Sequence, residues 1–462
     1  MSTDALSRYH DLLLDAALAE ESHEVLIQQL RDQGLFFGDR PLCSVLRPRF
    51  LTLAQYRQIG QGSALVGSAF EKVRQAAMAD AALRAQFGLT AWEEQLIHAD
   101  PGFAVASPTS RLDAFYVPGA NGAAGGATSL RFTEYNAETP AGAAYNDALS
   151  RAFLALPSIQ AFSRSHILLP LPAAAGVVDA LLQAYHAWRG VRERPSVCIL
   201  DWKEVPTYSE FVLFEQEFRA RGIDCFIGDP RDADYRDGTL YVAGKAVTLI
   251  YKRVLIDELV TRSGLDSPVV QAVRDGSVCM VNPFRCKLLH KKASLAVLSD
   301  ERQASLFTAE ENAALQACVP WTRVVEARHT QYRDSAGMTS TVDLLPFIAE
   351  RRETMVLKPN DEYGGKGIVL GWTVDDSAWQ AAIRTALAEP YIVQERVEVP
   401  SEPWPAWVDG AVHLGDRMLD TAPFLANGTT MNGCLTRIAT DPLLNVTAGG
   451  GSNVPTFLVE ER

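Results

Sequence analysis

The sequence of 462 residues lacks the features that mark membrane and secreted proteins. No uninterrupted apolar run is long enough to span a bilayer. Residues 1–26 mix acidic and apolar side chains instead of placing a basic start before an apolar core, so they do not resemble a signal peptide. The seven cysteines form no Cys-x-x-Cys pair, so neither a disulfide framework nor zinc is expected. We therefore expect buried, reduced thiols and a cytoplasmic location.

Several catalytic motifs are also missing. The sequence contains no Walker A spacing, no His-Glu-x-x-His, no Gly-x-Ser-x-Gly, and no Gly-x-Gly-x-x-Gly after the first strand of its α/β segment. Basic residues are scarce as well, since 43 Lys and Arg stand against 56 Asp and Glu, for a formal net charge of −13. This balance argues against a general binder of nucleic acid or of an anionic membrane, because both need a basic surface.

Composition and length are those of an ordinary globular chain, with 47% apolar and 21% charged residues. The length allows about three domains, and changes of pattern divide the chain further. Strand, helix and strand follow one another from residue 196, which predicts an open, largely parallel sheet. The proline-rich residues 399–405 predict a turn or a stiff connection. The predicted segments are a helical region at 1–104, a long hairpin and helices at 105–195, an open α/β domain at 196–320, a smaller α+β unit at 321–398, and strands with glycine loops at 399–462.

The stretch MVLKPNDEYGGKGIVLGW, residues 355–372, places a lysine, acids and glycines between two apolar runs. The apolar runs predict the two strands of a hairpin. The connection is either a flexible turn or a flap that closes over phosphate, because glycines expose backbone N–H groups and lysines add positive charge. The pattern alone leaves both interpretations open. The residues concerned are Lys358, Gly364, Gly365, Lys366 and Gly367.

A second predicted hairpin carries acidic residues on its two strands, which are joined by a glycine and alanine loop at 118–128. Glu134 and Asn136 are two residues apart and therefore share one face of their strand. Asp113, on the other strand, joins them if the hairpin pairs as predicted. Two carboxylates and an amide oxygen suit Mg²⁺, which prefers oxygen ligands. The alternative is a set of solvated polar residues on an exposed sheet face.

Taken together, these segments resemble the ATP-grasp superfamily. The resemblance is carried by RLDAF, EYNAETPAG, NPF, HKKASLAVLSD, KPNDEYGGKGIVLGW, YIVQERV and GCLTRI, within residues 105–462. In the ordinary order the metal motifs come last, whereas here RLDAF and EYN precede VLKP by more than two hundred residues. This order is similar to circularly permuted ATP-grasp proteins, among them relatives of the glutathionylspermidine synthetase domain. The fold implied is a permuted ATP-grasp core with an inserted, pre-ATP-grasp-like open α/β domain and an N-terminal helical region.

The resemblance also implies roles for individual residues. Lys358 and Lys292 would contact ATP, with Lys291 as the alternative to Lys292. Arg437 would face the γ-phosphate or an acyl phosphate, and Arg111 is a second candidate for that role. The remaining roles implied are a phosphate flap at Gly364, Gly365, Lys366 and Gly367, contacts with adenine and ribose by Glu395 and the backbone of Gln394 and Val397, and Mg²⁺ binding by Asp113, Glu134 and Asn136.

Each of these residues also has an ordinary structural interpretation. The lysines would be solvated surface residues, Arg437 would pair with a structural acid, and Glu395 would be an exposed strand residue. Lys252 and Arg253 either reach the cleft or lie at the surface, and His290 has no partner in the sequence that suggests a catalytic base.

The activity implied is that of a ligase dependent on ATP and Mg²⁺, which joins a carboxylate to an amine or a thiol through an acyl phosphate. The partners expected are a small carboxylate and an amine, with an amino acid or small peptide suggested only by the family. Neither nucleic acid nor a membrane is expected as a partner, and the oligomeric state stays open. Two alternatives remain, a nucleotide-binding protein without ligase turnover and an ATP-dependent small-molecule kinase. ADP release that requires both an acid and an amine would separate a ligase from a kinase.

Overall fold

The computed structural model describes residues 2–37, 40–119, 128–334, 336–362, 364–440 and 451–462. The first hundred residues are mainly helical, as their apolar spacing predicts. The helix at 53–79 starts with a capping box at Thr52 and buries Val66, Phe70 and Val73 along one face. Three short strands that the sequence did not predict also occur here. The elements are α1 (Ser2–Leu12), α2 (Ala16–Asp32), β1 (Phe36–Phe37), β2 (Arg40–Pro41), β3 (Arg49–Leu51), α3 (Leu53–Ala79), α4 (Ala81–Ala85) and α5 (Ala91–Ile97).

The acidic hairpin forms as predicted, with two antiparallel strands in which Asp113 lies opposite Glu134. A register shift follows Asp113, and Arg111 lies opposite Asn136. Most of the predicted glycine and alanine loop, residues 120–127, is outside the described residues. The elements are β4 (Thr109–Val117), β5 (Ser129–Asn136), α6 (Ala143–Leu154), α7 (Pro157–Phe162), β6 (His166–Pro170) and α8 (Ala174–Arg189).

The α/β segment contains the predicted open parallel sheet. Its strands are β7 (Ser196–Leu200), β8 (Asp224–Gly228), β12 (Leu249–Lys252) and β13 (Cys279–Val281), in the order β13-β12-β7-β8 and all parallel. A small antiparallel sheet is inserted before β12, and helices cover the parallel sheet. These elements are α9 (Tyr208–Ala220), β9 (Ala233–Arg236), β10 (Thr239–Val242), β11 (Lys245–Val247), α10 (Ile256–Ser263) and α11 (Pro268–Arg274).

The next segment forms a small antiparallel sheet in the order β14-β19-β17-β18. The hairpin predicted at 355–372 is part of it, because Val356 pairs with Leu370 and Leu357 with Val369. The elements are α12 (Lys287–His290), α13 (Ala293–Ser299), α14 (Ala309–Cys318), β14 (Thr322–Val324), β15 (His329–Arg333), β16 (Thr339–Asp343), α15 (Leu344–Glu350), β17 (Met355–Pro359), β18 (Val369–Leu370), α16 (Asp376–Ala388) and β19 (Tyr391–Glu395).

The last segment completes the sheet that the acidic hairpin begins. Its strands are β20 (Ser401–Val408), β21 (Ala411–Leu419), β22 (Ala422–Ala426), β23 (Thr430–Ala439) and β24 (Ser452–Glu461). The strand order is β20-β21-β23-β22-β4-β5, and β24 pairs with β23, β3 and β6. The pairing of β22 with β4 joins the end of the chain to the acidic hairpin, as a permuted core requires.

The turn predicted at 399–405 is wrong, because β20 runs through Pro403 and Pro405. Among the strands of the described residues, β20 pairs only with β21. At such an edge, proline is tolerated because no second neighbour needs its missing N–H group. The main core lies between α3 and the large sheet, where Phe70 stacks on Tyr135. No helix within the described ranges is long and apolar enough to cross a membrane. The boundaries of the five segments stay predictions.

Candidate active site

One cavity of about 490 Å³ lies between three parts of the fold. They are the large sheet that contains the acidic hairpin, the antiparallel sheet β14-β19-β17-β18, and the carboxyl ends of strands in the parallel sheet. Most of the residues that the sequence singled out lie on its wall. Four do not line it: Lys252, Lys291, Lys366 and Gly367. Those that line it are Arg111, Asp113, Glu134, Asn136, Lys292, Lys358, Gly364, Gly365, Gln394, Glu395, Val397 and Arg437.

Asp113 is held between two arginines. Its Oδ1 accepts a hydrogen bond from Arg111 Nε at 2.6 Å. Its Oδ2 accepts from Arg111 Nη2 at 2.9 Å and from Arg437 Nη2 at 2.7 Å. Burial alone would raise the pKa of Asp113, but the two guanidinium groups outweigh it and hold that pKa well below its ordinary value. Asp113 is therefore ionised at neutral pH.

Glu134 is opposite Asp113 and has a different partner, since its Oε1 lies 3.1 Å from Lys292 Nζ. Burial and the Asp113 charge act to raise the pKa of Glu134, but Lys292 and Lys358 lower it below the ordinary value. Both facing carboxylates are thus ionised, because cations offset the repulsion between them. Asn136 completes the set, and its buried Nδ2 has no hydrogen-bond partner in the described part of the chain.

These three side chains fit Mg²⁺ in donor chemistry, because two ionised carboxylates and a side chain with an amide oxygen line the same cavity. Within the described ranges, no group of three or more His, Cys, Asp and Glu residues is arranged to hold a metal. The candidate set therefore depends on the amide of Asn136 as its third member. Asp113 and Glu134 also serve as ion-pair partners of cations in this structure.

Asp420 is an acid of the cavity that the sequence analysis missed. Its Oδ2 accepts a hydrogen bond from Arg437 Nε at 2.6 Å, and its Oδ1 accepts from Arg437 N at 2.6 Å. Asp420 is only 2% exposed, and this burial raises its pKa although Arg437 acts in the opposite direction. Arg437 thus bridges Asp420 and Asp113, so both of its predicted interpretations, a site residue and a partner of acids, are compatible with its position.

The two candidate ATP lysines occupy different environments. Lys292 lines the cavity, and its Nζ donates a hydrogen bond to the backbone oxygen of Glu362 at 2.6 Å. Lys291 Nζ lies 3.0 Å from Glu93 and 3.0 Å from Asp361, in a buried charge cluster beside the cavity. Lys292 is therefore the lysine placed to meet a ligand, while Lys291 neutralises acids.

Lys358 enters the cavity from β17. Its Nζ donates hydrogen bonds to Gln394 Oε1 at 2.7 Å and to the backbone oxygen of Thr133 at 3.2 Å. Burial lowers the pKa of Lys358 to about 8, and Lys292 acts in the same direction, against the charges of Glu134 and Asp113. An ammonium group in this position is partly stripped of water and is suited to an anionic ligand.

The glycines of the hairpin connection have backbone angles that favour glycine. φ is +66° at Gly364, +78° at Gly365 and +72° at Gly367, all in the left-handed region. A Cβ atom at Gly367 would also lie 2.7 Å from Pro359 Cγ. The turn itself therefore requires these glycines, whether or not it closes over phosphate. The side chain of Lys366 is 75% exposed and pairs with Glu362 at 3.0 Å.

Apolar side chains of the sheet β14-β19-β17-β18 and of residues next to its strands line one part of the cavity, which we call the apolar slot. Tyr332 donates a hydrogen bond to Glu395 Oε1 at 2.9 Å, at the edge of this slot. Gln394 reaches the cavity with its side chain, whereas its backbone lies in β19 between two paired strands. An apolar wall with a few polar groups beside it is a common form of site for an aromatic ring. The apolar members are Val356, Ile368, Leu370, Trp372, Val397 and Val399.

Another part of the cavity wall is formed by residues at the carboxyl ends of strands in the parallel sheet. Asp201 follows β7 and Arg253 follows β12, and both line the cavity together with Glu258 of α10. Lys252, the other residue that the sequence associated with the cleft, points elsewhere: it is 1% exposed and lies 3.5 Å from Glu138. Asp201 and Glu258 were not singled out by the sequence, although a polar residue directly after a buried parallel strand is a recognisable signal.

His290 also lines the cavity, next to the cluster that contains Lys291. Burial lowers the pKa of His290 to about 4, so its imidazole is neutral at physiological pH. Its Nε2 lies 3.8 Å from Glu138. At neutral pH this uncharged histidine is therefore part of the cavity wall, and it does not form an ion pair with Glu138.

The sheet order and the position of the acidic hairpin ahead of the lysine and glycine hairpin define a circularly permuted ATP-grasp fold. Residues 94–439 match the family model for circularly permuted ATP-grasp type 2, and the chain belongs to this family. Membership indicates an ATP-dependent ligase in general terms. None of the curated proteins compared with this chain matches it.

Solved structures support the fold. A glutathione synthetase like-effector from Globodera pallida, in its apo form, has a TM-score of 0.57 at 12% identity, covering 95% of this chain and 96% of that chain. At this identity the likeness shows the fold alone. D-alanyl-alanine synthetase A from Vibrio cholerae O1 biovar eltor covers 49% of this chain and 68% of that chain at 9% identity. Its TM-score of 0.25 is too low to carry an argument.

Proposed function

We propose that the chain is a carboxylate–amine ligase that uses ATP and Mg²⁺ and forms an amide bond through an acyl phosphate. The observation that carries this proposal is the shared cavity, in which Lys292, Lys358 and Arg437 face the ionised pair Asp113 and Glu134. Cations placed next to carboxylates are what a triphosphate with its divalent cation requires.

The nucleotide would lie with its base in the apolar slot and its phosphates toward Lys358 and Lys292. Asp113, Glu134 and Asn136 are the residues that would hold Mg²⁺. When bound, the ion would offset negative charge on the phosphates. Lys358 has the lowered pKa of a desolvated ammonium group, and the charge of a phosphate at hydrogen-bond distance would favour its protonated form.

The reaction proposed has two steps. A carboxylate oxygen of the first substrate attacks the γ-phosphorus, the bond from phosphorus to the bridging oxygen breaks, and ADP leaves. An amine nitrogen then attacks the acyl carbon, the bond from carbon to the phosphate oxygen breaks, and phosphate leaves with the electron pair. Arg437, which bridges Asp113 and Asp420, is placed to offset the negative charge of the acyl phosphate. Arg111 is more fully engaged, because it holds both oxygens of Asp113.

The test is ADP release measured with Mg²⁺-ATP against a panel of carboxylic acids and amines, singly and in pairs. Release that needs an acid and an amine together, with an amide as product, is the expected result. Release with one substrate and a stable phosphorylated product would instead identify a kinase. Nucleotide binding without any release across the panel would favour a binding protein.

A matched pair of lysine variants controls this test. Lys358→Met removes the cavity ammonium, whereas Lys203→Met removes an exposed ammonium that pairs with Asp232 at the surface. Lys358→Met should abolish acid-dependent ADP release, while Lys203→Met should leave it unchanged. Equal activity of both variants would contradict the placement of the phosphates.

A further inference from the structure

The end of the cavity formed by the parallel sheet has a carboxylate that the proposed reaction has not yet used. Asp201 and Arg253 directly follow the neighbouring parallel strands β7 and β12, in which Leu200 pairs with Lys252. In open α/β sheets, ligands bind beyond the carboxyl ends of the strands. The position of Asp201 in the topology and its place on the cavity wall therefore indicate the same ligand-binding edge.

Asp201 is only 7% exposed, and its hydrogen bonding is incomplete. Its Oδ1 accepts a hydrogen bond from the backbone N–H of Trp202 at 2.8 Å. Its Oδ2 accepts none from the part of the chain that the structure describes. Since Oδ2 is not enclosed by protein atoms and Asp201 lines the cavity, this oxygen is accessible to a hydrogen-bond donor of a ligand.

The cations near Asp201 are already engaged by other groups. Arg253 Nη2 lies 3.3 Å from Glu210, and its Nη1 donates to the backbone oxygen of Pro140. Lys252 Nζ lies 3.5 Å from Glu138. Among the described residues, none forms an ion pair with Asp201. A positively charged ligand in the cavity would therefore be the ion-pair partner of Asp201.

Glu258 adds a second negative charge on the same side of the cavity. Its Oε2 accepts a hydrogen bond from Trp202 Nε1 at 3.0 Å, which fixes it beside Asp201. Burial raises the pKa of Asp201 to about 6, Glu258 adds to this effect, and Arg253 and Lys252 oppose it. An acidic end favours a cationic or amine ligand and disfavours a second carboxylate or phosphate.

We propose that Asp201 contacts the amine substrate and accepts its proton as the new C–N bond forms. This inference rests on the proposed ligase function. The amine arrives as an ammonium group and loses one proton to solvent. Its nitrogen then attacks the acyl phosphate, the bond between the acyl carbon and the phosphate oxygen breaks, and the second proton passes to Oδ2 of Asp201. A carboxylate whose affinity for protons is increased by burial is suited to this transfer.

The experiment separates the two halves of the reaction by using two nucleophiles. Hydroxylamine is small and neutral at about pH 7.5, and it captures an acyl phosphate with little need for a general base. The wild type is first given Mg²⁺-ATP, hydroxylamine and each of the common amino acids and dicarboxylic acids, and the acyl hydroxamate is measured. The acid that reacts best is then paired with the amino acids as amines, and the amide is measured.

Asp201→Asn should lower amide formation by about 10²–10⁴-fold, the usual range for loss of a general base. Hydroxamate formation should change by less than about two-fold, because phosphorylation of the acid does not use Asp201. The substitution keeps the oxygen that accepts from Trp202, so folding should be retained, and a melting curve checks this. Asp224→Asn is the control. Asp224 is exposed and starts β8, so it lies at the amino ends of the strands, whereas Asp201 follows the carboxyl end of β7.

Wild-type amide formation should also decline as the pH falls below about 6, and this decline should be absent in Asp201→Asn. The charged groups that face Asp201 and contribute to this titration are Arg253, Lys252 and Glu258. An unchanged amide rate in Asp201→Asn, or equal losses of amide and hydroxamate, would overturn the inference and leave the ligase proposal standing. Absence of hydroxamate and ADP from the wild type with every acid would overturn the ligase proposal, and the inference with it.

Discussion

Replacing Lys358 by methionine should alter nucleotide binding far more than it alters the stability of the nucleotide-free protein. Lys358 is half-buried, and burial lowers its pKa from 10.5 to about 8. The folded state therefore disfavours the charged form of this lysine at neutral pH. Methionine removes that penalty, but it also leaves Gln394 Oε1 and the oxygen of Thr133 without the donor they have in the wild type.

The two effects are similar in size and opposite in sign. A pKa lowered from 10.5 to about 8 corresponds to a penalty of up to about 3 kcal/mol, which solvent at the half-buried site reduces to about 1–2 kcal/mol. Loss of the donor costs about 1–3 kcal/mol. The free energy of unfolding without nucleotide should thus change by less than about 2 kcal/mol. Mg²⁺-ATP at a hundred times its Kd should add about 2.7 kcal/mol to the wild type and little to the variant.

The pH dependence gives the sharpest check. Between about pH 8 and 10.5 the unfolded lysine keeps a proton that the folded one has lost, so stability rises with pH over this range. The free energy of unfolding of the wild type minus that of Lys358→Met should therefore increase from pH 8 to 10.5, by about 1–2 kcal/mol. Lys203→Met should show no such increase, because Lys203 is exposed.

Denaturant unfolding of the three proteins at several pH values, with and without Mg²⁺-ATP, measures both effects. A difference between wild type and Lys358→Met that stays flat or falls above pH 8 would show that this lysine is not desolvated. A variant that Mg²⁺-ATP stabilises as much as the wild type would show that Lys358 does not contact the nucleotide.

The remaining predictions concern the other cavity residues. Glu134→Gln should reduce turnover at saturating Mg²⁺ far more than it reduces the melting temperature, and normal turnover would remove Glu134 from the metal site. Lys292→Met should weaken nucleotide binding at least about ten-fold. Lys291→Met should mainly destabilise the fold, by about 3 kcal/mol or less, because Glu93 and Asp361 would keep only Lys287 as a lysine partner. A binding assay and a melting curve on both variants test this. The prediction is contradicted if Lys291→Met loses nucleotide binding while Lys292→Met loses stability. Gly365→Ala should lower stability by about 1–2 kcal/mol, because φ is +78° there, and its melting curve should remain below that of the wild type with and without nucleotide.

Local patterns predicted the elements that carry the site. Alternation with a period of two placed Glu134 and Asn136 on one strand face, and the hairpin that sets Asp113 opposite Glu134 forms as expected. The strand and glycine pattern at 355–372 likewise predicted its hairpin. These features follow from interactions between residues that are close in sequence, so the sequence alone was sufficient.

Features that depend on distant contacts were not predictable in this way. Lys291 and Lys292 are adjacent in a basic segment, and which of them faces the cavity is decided by acids at Glu93, Glu134 and Asp361. The glycines of the hairpin at 355–372 show a second feature that the sequence did not decide. Their pattern suggested close approach to phosphate, but the positive φ angles show that the turn needs them in any case. A glycine variant therefore cannot separate the two interpretations, which is why the lysine variants carry the test.

Ion pairs within the cavity join several of the proposed ligands to one another, and this explains why those ligands also look like structural residues. Asp113 pairs with Arg437 and Glu134 pairs with Lys292, so two of the cations that would meet a phosphate are each paired with an acid that would meet Mg²⁺. If a triphosphate and its cation enter together, the two protein cations can exchange their carboxylate partners for phosphate oxygens. The two carboxylates can exchange their cationic partners for the metal ion. Desolvated charges then stay compensated throughout, and neither the cations nor the carboxylates are left buried and unpaired. Under the proposed function, these ion pairs are thus compatible with the residues' proposed roles.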